Sequence, residues 1–274
     1  MDGPAVDRRA ADLREIAKTF DARAATYARD GWHLRCAERL VELCRLSPAS
    51  HVLDAATGTG FAALAAARAV GPEGRVLGVD ISREMLRTAG AAVEAAGLQN
   101  VVFFQGDAVS LPQYADATFD AITCSSALFY MPAADALREW HRLLKPRGLL
   151  AFSTFHAGSP PPARLFRECA SAFGVSLRDP CEPLGSAVAC RRALERAGFD
   201  VVGIVSEPVM FSVQDLALAW ESNIRAAAHA EVRRLDADRQ ADLKRAYLEA
   251  LAREEADDPE AFSRAPMLYA IGRR

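Results

Sequence analysis

No stretch of this 274-residue chain approaches the ~20 apolar residues needed to span a bilayer. The opening residues, MDGPAVDRRAADLREIAKTF, carry no apolar run behind their positive charges and do not read as a signal peptide. Basic residues are not in surplus either: 33 Lys and Arg stand against 36 Asp and Glu. That balance leaves no basic footprint for nucleic acid and no polybasic helix for a membrane surface. The six cysteines, Cys36, Cys44, Cys124, Cys169, Cys181 and Cys190, form no C-x-x-C pair, so a zinc or redox motif has no support. They read as reduced thiols, and the expected location is cytoplasmic.

What is present is an alternation of strand and helix patterns. Residues 8–29 and 33–46 read as helices, the second stopped by Ser47-Pro48. Short apolar runs then predict strands at 51–55, 75–80, 100–107, 119–125 and 148–155. Between them lie helices at 60–70, 82–96 and 133–145, with Ser82 as an N-cap and Gly97 as a C-cap. Such spacing predicts an α/β fold with a doubly wound, mostly parallel sheet covered on both faces. A Pro-rich turn at 159–166 leads into a helix, 186–197 is another, and strands follow at 199–206 and 266–274. Residues 213–256 read as two helices divided near Asp236, inserted before the last of seven strands.

The first strand runs into a glycine turn, Val52-Leu53-Asp54-Ala55-Ala56-Thr57-Gly58-Thr59-Gly60. Glycine there lets a ligand approach the backbone, and the following helix aims its amides at that ligand. Gly58, Gly60 and Ala63 also fit the dinucleotide pattern, with Asp80 at the ribose-binding distance, so an NAD(P) oxidoreductase is one reading. A tight turn with no ligand would carry the same glycines. Asp54 weighs against a dinucleotide, because a carboxylate at that strand end repels pyrophosphate. Asp80 and Asp107, in Gly106-Asp107-Ala108, end the next two strands. Each acid alone could be a helix cap. Three in order suit a cationic nucleoside, S-adenosylmethionine (SAM), with its amino group and sulfonium.

On VLDAATGTG (52–60), VLGVDISREML (76–86), VFFQGDAVSLP (102–112), FDAITCSSALFYM (119–131) and RLLKPRGLLAFSTF (142–155), the chain resembles the class I SAM-dependent methyltransferases. The resemblance is to the branch of ubiquinone and menaquinone C-methyltransferases and covers about residues 20–155. It implies a Rossmann-like sheet with a SAM-binding core over 48–212 and an N-terminal helical lid over 1–47; from chain order alone, a helical cap is expected over 213–263 and a final core strand over 264–274. It implies that Asp54, Ala56, Gly58 and Gly60 surround the methionine part of SAM. Asp80 would hold the ribose, Ile81 and Met85 would flank the adenine, and Gly106, Asp107 and Ala108 would read its edge. Ser125 would stand near the sulfonium, and Tyr27, in FDARAATYARDGW (20–32), would close over it. Ala56 and Arg147 replace glycines common in the family.

Methyl transfer needs positioning and exclusion of water, and a base only where the nucleophile must lose a proton. His156, after the fifth strand, and His33, in the lid, are the candidate bases, each with a surface or capping role as its plain alternative. Trp32, Phe129, Tyr130, Phe155, Phe211 and Trp220 form a candidate wall for an apolar or aromatic acceptor, although aromatics of this kind are commonly core residues. No acidic cluster follows the fourth and fifth strands, so no metal is expected. The expected partner is a small molecule, not nucleic acid or membrane, with an oligomer through the N-terminal helix left open. A SAM-fold protein without net methyl transfer, such as a cyclase or an assembly partner, would keep the same three acids.

Overall fold

The computed structural model describes residues 3–27 and 31–274, with the backbone alone for 3–11. Residues 28–30 of the expected lid motif thus lie outside the described residues. Helix α1 (Gly3–Asp21) is followed by a turn and the short α2 (Ala24–Tyr27), so the single helix expected over 8–29 is divided. The division comes where Arg23 N–H closes back onto Phe20 O at 3.0 Å, a tightened last turn. Helix α3 (Trp32–Cys44) then leads into β1 (His51–Ala55), α4 (Phe61–Val70), β2 (Arg75–Asp80), α5 (Arg83–Ala95), β3 (Val101–Gln105) and β4 (Phe119–Cys124). Ser82 caps α5 as its sequence suggests, accepting from Met85 N–H at 3.1 Å, and Gly97 follows with φ +66°.

The chain continues through α6 (Ala133–Leu143), β5 (Leu144–Phe155), α7 (Pro161–Ala172), α8 (Ala187–Arg196) and β6 (Asp200–Met210). Two short helices, α9 (Val213–Ala217) and α10 (Ala219–Ile224), precede a 3-10 segment, Ala227–Arg234, and the long α11 (Ala237–Asp257). Asp236 caps α11 through Arg239 N–H, where the sequence placed the division. The first of the two expected helices is instead broken. Asn223 Nδ2 bonds Ala219 O at 2.9 Å and His229 Nδ1 bonds Asn223 O at 2.9 Å, side-chain bonds that compete with the helix ladder. Helix α12 (Pro259–Ser263) and β7 (Arg264–Arg273) end the chain.

The seven strands form one sheet in the order β3-β2-β1-β4-β5-β7-β6. The strand pairs of β1 to β5 are parallel, and β7 runs antiparallel between β5 and β6. Strands β6 and β7 are longer than the sequence suggests, because they pair from Asp200↔Arg273 to Met210↔Arg264. Ala-rich α4 and the apolar stripe of α3 cover one face over Val52 and Val76. Helices α6 and α8 cover the other, with Trp140 fully buried against Leu53, Ile122 and Phe152. The small residues of α4 let its backbone lie close to the sheet, which fixes the glycine turn at its N-terminus.

The chain order reverses between β1 and β4, and the carboxyl ends of strands flanking such a point open a crevice. Helices α7, α10 and α11 form a separate small core around Phe166, Trp220, Leu243 and Tyr247 beyond those ends.

Candidate functional site

A cavity opens at the ends of β1, β2, β3 and β4. Ala56 and Gly58 form its floor, both with left-handed backbone, at φ +54° and +55°. A side chain at Gly58 would meet only Tyr27, at 4.0 Å, so the floor is open to a ligand. Ile81 and Met85 line one side, Gly106, Asp107 and Ala108 another, and Ser125, Tyr27 and Tyr130 the mouth. Helix α1 adds Leu13, Ile16 and Phe20, which the sequence reading missed. Their i, i+3, i+7 spacing was the available signal. The amphipathic pattern, for which an oligomer role was left open, thus places these three side chains at a cavity within the chain.

Asp80 is buried, and each of its oxygens accepts one backbone N–H: Oδ2 from Gly58 at 2.8 Å and Oδ1 from Ser82 at 2.9 Å. A carboxylate has about four lone-pair sites, so both oxygens can still accept from a diol. Burial raises the Asp80 pKa, and the Ser82 and Gly58 N–H groups pull it partly back. Asp107 bonds Val109 N–H at 3.0 Å and faces the same cavity. Among the described residues, no Lys, Arg or His lines it. A pyrophosphate would find two acids and no cation there, whereas a sulfonium nucleoside with ribose hydroxyls and an adenine amino group matches every polar wall. The residues fit SAM and not a dinucleotide.

Two expected contacts lie beneath the cavity rather than on it. Asp54 is 1% exposed, with Thr57 Oγ1 donating at 2.6 Å and Thr123 Oγ1 at 2.8 Å. The register pairs Asp54 with Thr123 on β4, which delivers that second hydroxyl. Burial pushes Asp54 up to about 6, against the pull of those two bonds and with some help from the charge of Asp80. Gly60, at φ +89°, packs instead against α5, where a side chain would meet Ala89 at 3.0 Å. Both residues shape the turn whose backbone the ligand would touch.

Residues 52–148 match the family described as a methyltransferase domain. A demethylmenaquinone methyltransferase of Geobacillus kaustophilus is 38% identical over 118 residues, which cover 43% of this chain and 50% of that relative. Residues 52–148 of this chain are a class I SAM-dependent methyltransferase domain. The chain spans about half the length of the curated relatives it matches. A putative methyltransferase from Bacillus halodurans superimposes with TM-score 0.60 at 21% identity, covering 86% of this chain and 97% of that one. The [4+2]-cyclase SpnF does so with TM-score 0.55 at 24% identity, covering 86% and 81%. These two likenesses show the fold alone.

A second cavity, partly open to solvent, adjoins the first. Tyr27, Ser126 and Tyr130 line both. Ser126 was missed in the sequence, where Ser125 was preferred. It takes a left-handed φ of +52°, and its N–H is held by Ser153 Oγ at 3.0 Å. Trp32, Phe129, Phe155 and Phe211 line the second cavity. The Trp32 ring lies 5.1 Å from that of Phe155 and 5.7 Å from that of Phe211. His33 is 8% exposed and its ring sits 4.1 Å from Tyr27 and 3.6 Å from Trp32, inside this cavity.

Two of the expected residues stand elsewhere. His156 lines neither cavity, and its Nε2 bonds Ser206 Oγ at 2.8 Å on β6. The extended β6–β7 pairing brings Ser206 alongside, and His156 N–H is held by Pro266 O at 3.1 Å. Trp220 lines neither cavity and packs on Phe166 and Tyr247, because the helices beyond the strand ends need a core of their own.

The sequence reading also missed Asp215, Ser159 and His229, which all line the second cavity. His229 is buried, with Nδ1 donating to Asn223 O, and burial lowers its pKa to about 4. It is therefore a neutral imidazole at physiological pH, with Nε2 as an acceptor.

Proposed function

We propose that this chain transfers the methyl group of SAM to a carbon, oxygen or nitrogen of a small, largely apolar or aromatic acceptor held in the second cavity. The observation that carries this reading is the meeting of an acid-lined cavity, free of bases among the described residues, with an aromatic one at Tyr27, Ser126 and Tyr130. Bound SAM supplies a methyl carbon already activated by its sulfonium. The chain's own residues do the rest. Asp80 fixes the ribose, and Ile81, Met85 and Ala108 enclose the adenine. Leu13, Ile16 and Phe20 cover the site and shed water. Trp32, Phe129 and Phe211 hold the acceptor ring against the shared wall. His33 accepts a proton where the nucleophile must lose one. The curated relatives' demethylmenaquinone methyltransferase activity supports a quinone-like acceptor class for this cavity.

Calorimetric titration with S-adenosylhomocysteine (SAH), and with NADH beside it, tests the cofactor. SAH binding that is lost in Asp80→Ala is expected, and binding of NADH alone overturns the reading. Incubation of SAM with candidate acceptors then tests the reaction, in which SAH accumulates together with a product one methylene heavier. Product formed without SAH identifies a SAM-fold enzyme that transfers no methyl group.

A further inference from the structure

Three buried side-chain atoms among the described residues have no hydrogen-bond partner: Thr59 Oγ1, Ser159 Oγ and Asp215 Oδ1. Two of the three, Ser159 and Asp215, line the acceptor cavity. Leaving such an atom unmade costs about 1–3 kcal/mol, more for a charged group, so each calls for a partner that a bound molecule would bring.

Asp215 carries the stronger demand. Its side chain is 1% exposed. Oδ2 takes three donors: Arg35 Nη2 at 2.6 Å, Ser212 N–H at 2.8 Å and Ser212 Oγ at 2.8 Å. Ser212 Oγ in turn accepts Asp215 N–H at 3.1 Å, which closes a capping box at the start of α9. Capping accounts for Oδ2 and leaves Oδ1 unexplained. Burial favours the protonated acid here, but the Ser212 and Arg35 bonds outweigh it and hold the pKa below the ordinary value. Asp215 is thus ionised and can only accept.

We propose, resting on the acceptor-cavity reading above, that Asp215 Oδ1 is a specificity determinant that binds a neutral O–H or N–H donor on the acceptor, with Ser159 Oγ as its second polar contact. The donor is neutral because Arg35 already balances the carboxylate and Arg23 and Arg167 also line the cavity. Asp215 is not among the residues that line both cavities, so it holds the acceptor away from the reacting centre and takes no proton from it. The acceptor class is then an aromatic bearing a hydroxyl or a neutral N–H remote from the methylated atom.

Paired probes test this: phenol against anisole, and 2-naphthol against 2-methoxynaphthalene, each titrated into the SAH complex and followed by ligand-detected NMR. Within a pair a methyl group replaces the donor hydrogen, so the apolar gain of the methyl works against the expected preference. Wild type is expected to favour the hydroxyl member by about tenfold or more, the size of a hydrogen bond to a charged group. In Asp215→Asn the three donors on Oδ2 keep the amide oxygen there and turn the NH₂ into the cavity. That group donates to either member, so the preference should fall to within about twofold while SAH affinity stays at the wild-type value. Wild-type protein that binds both members of each pair alike, or neither, overturns the proposal without any variant. An unchanged preference in Asp215→Asn overturns it as well. Failure of SAH to bind would sink the methyltransferase reading instead, and the same pairs titrated without SAH would then judge Asp215 alone.

Discussion

The cofactor cavity takes its polar walls from consecutive strand ends, Asp80 on β2 and Asp107 after β3, with Asp54 on β1 beneath. The acceptor cavity takes Trp32 from α3, Phe155 from β5, Arg167 from α7, Asp215 from α9 and Asn223 from α10. In the first region the backbone dictates where each side chain goes, because parallel pairing aligns the strand ends. In the second, each wall is brought by a different element, and its position depends on how those elements pack. The first should therefore respond to substitution through affinity for the cofactor, the second through the acceptor and turnover.

The largest effect should come from Asp80→Ala. It removes two hydrogen bonds to a charged group, each worth about 1.5–3 kcal/mol, so SAH affinity should fall by about a hundredfold or more. Its pH dependence has a defined sign. The pKa of Asp80 is raised, so as pH falls its carboxylate is lost earlier than an ordinary aspartate's. SAH affinity in wild type should decline on acidification, and Asp80→Asn should flatten that decline. A wild-type affinity flat from neutrality to pH 4 would remove Asp80 from the site.

His33→Asn addresses the other region. For an acceptor that must lose a proton, kcat should drop by about a hundredfold with SAH affinity within twofold of wild type. Equal loss of both would mean that His33 merely supports Tyr27, whose ring lies 4.1 Å away.

Asp54→Asn separates folding from binding. The folded-state pKa of Asp54 is about 6 against an ordinary 3.8, so the folded chain binds the proton more tightly than the unfolded one. Stability from this group is present at low pH and is lost as pH rises from about 4 to 6. Above that, the ionised group costs on the order of 3 kcal/mol. The variant should gain on wild type in urea unfolding between pH 5 and pH 7.5. An identical difference at both pH values would show that Thr57 and Thr123 already compensate the charge in full.

The same contrast explains what could be read without a structure. The glycine turn, Asp80 and Asp107 were legible because strand ends are local patterns, whereas Ile81 and Met85 were expected only from the resemblance to the methyltransferases. The antiparallel place of β7 was not, since pairing partners so far apart leave no local mark. His156 was misplaced because chain order puts it after β5, while the lengthened β6 supplies Ser206 to bind it. Trp220 and Asp215 look alike to a pattern reading, as residues of an Ala-rich helical stretch. Only packing assigns one to a core and the other to a cavity wall.

The smallest effect is the most pointed one for the cofactor region. Ala56 stands at φ +54°, where a non-glycine residue costs about 1 kcal/mol. Glycine would relieve that strain but add unfolded-state entropy of about 0.5–1 kcal/mol. Ala56→Gly should therefore leave stability within about 0.5 kcal/mol of wild type. Its methyl group lines the cofactor cavity, and losing the contact of one buried methyl is worth about 0.8 kcal/mol, close to fourfold in SAH affinity. A fourfold loss at constant stability would show that alanine is kept for what it touches. A stability gain above 1 kcal/mol with unchanged affinity would show strain without a contact, and the floor of the cavity would then be set by Gly58 alone.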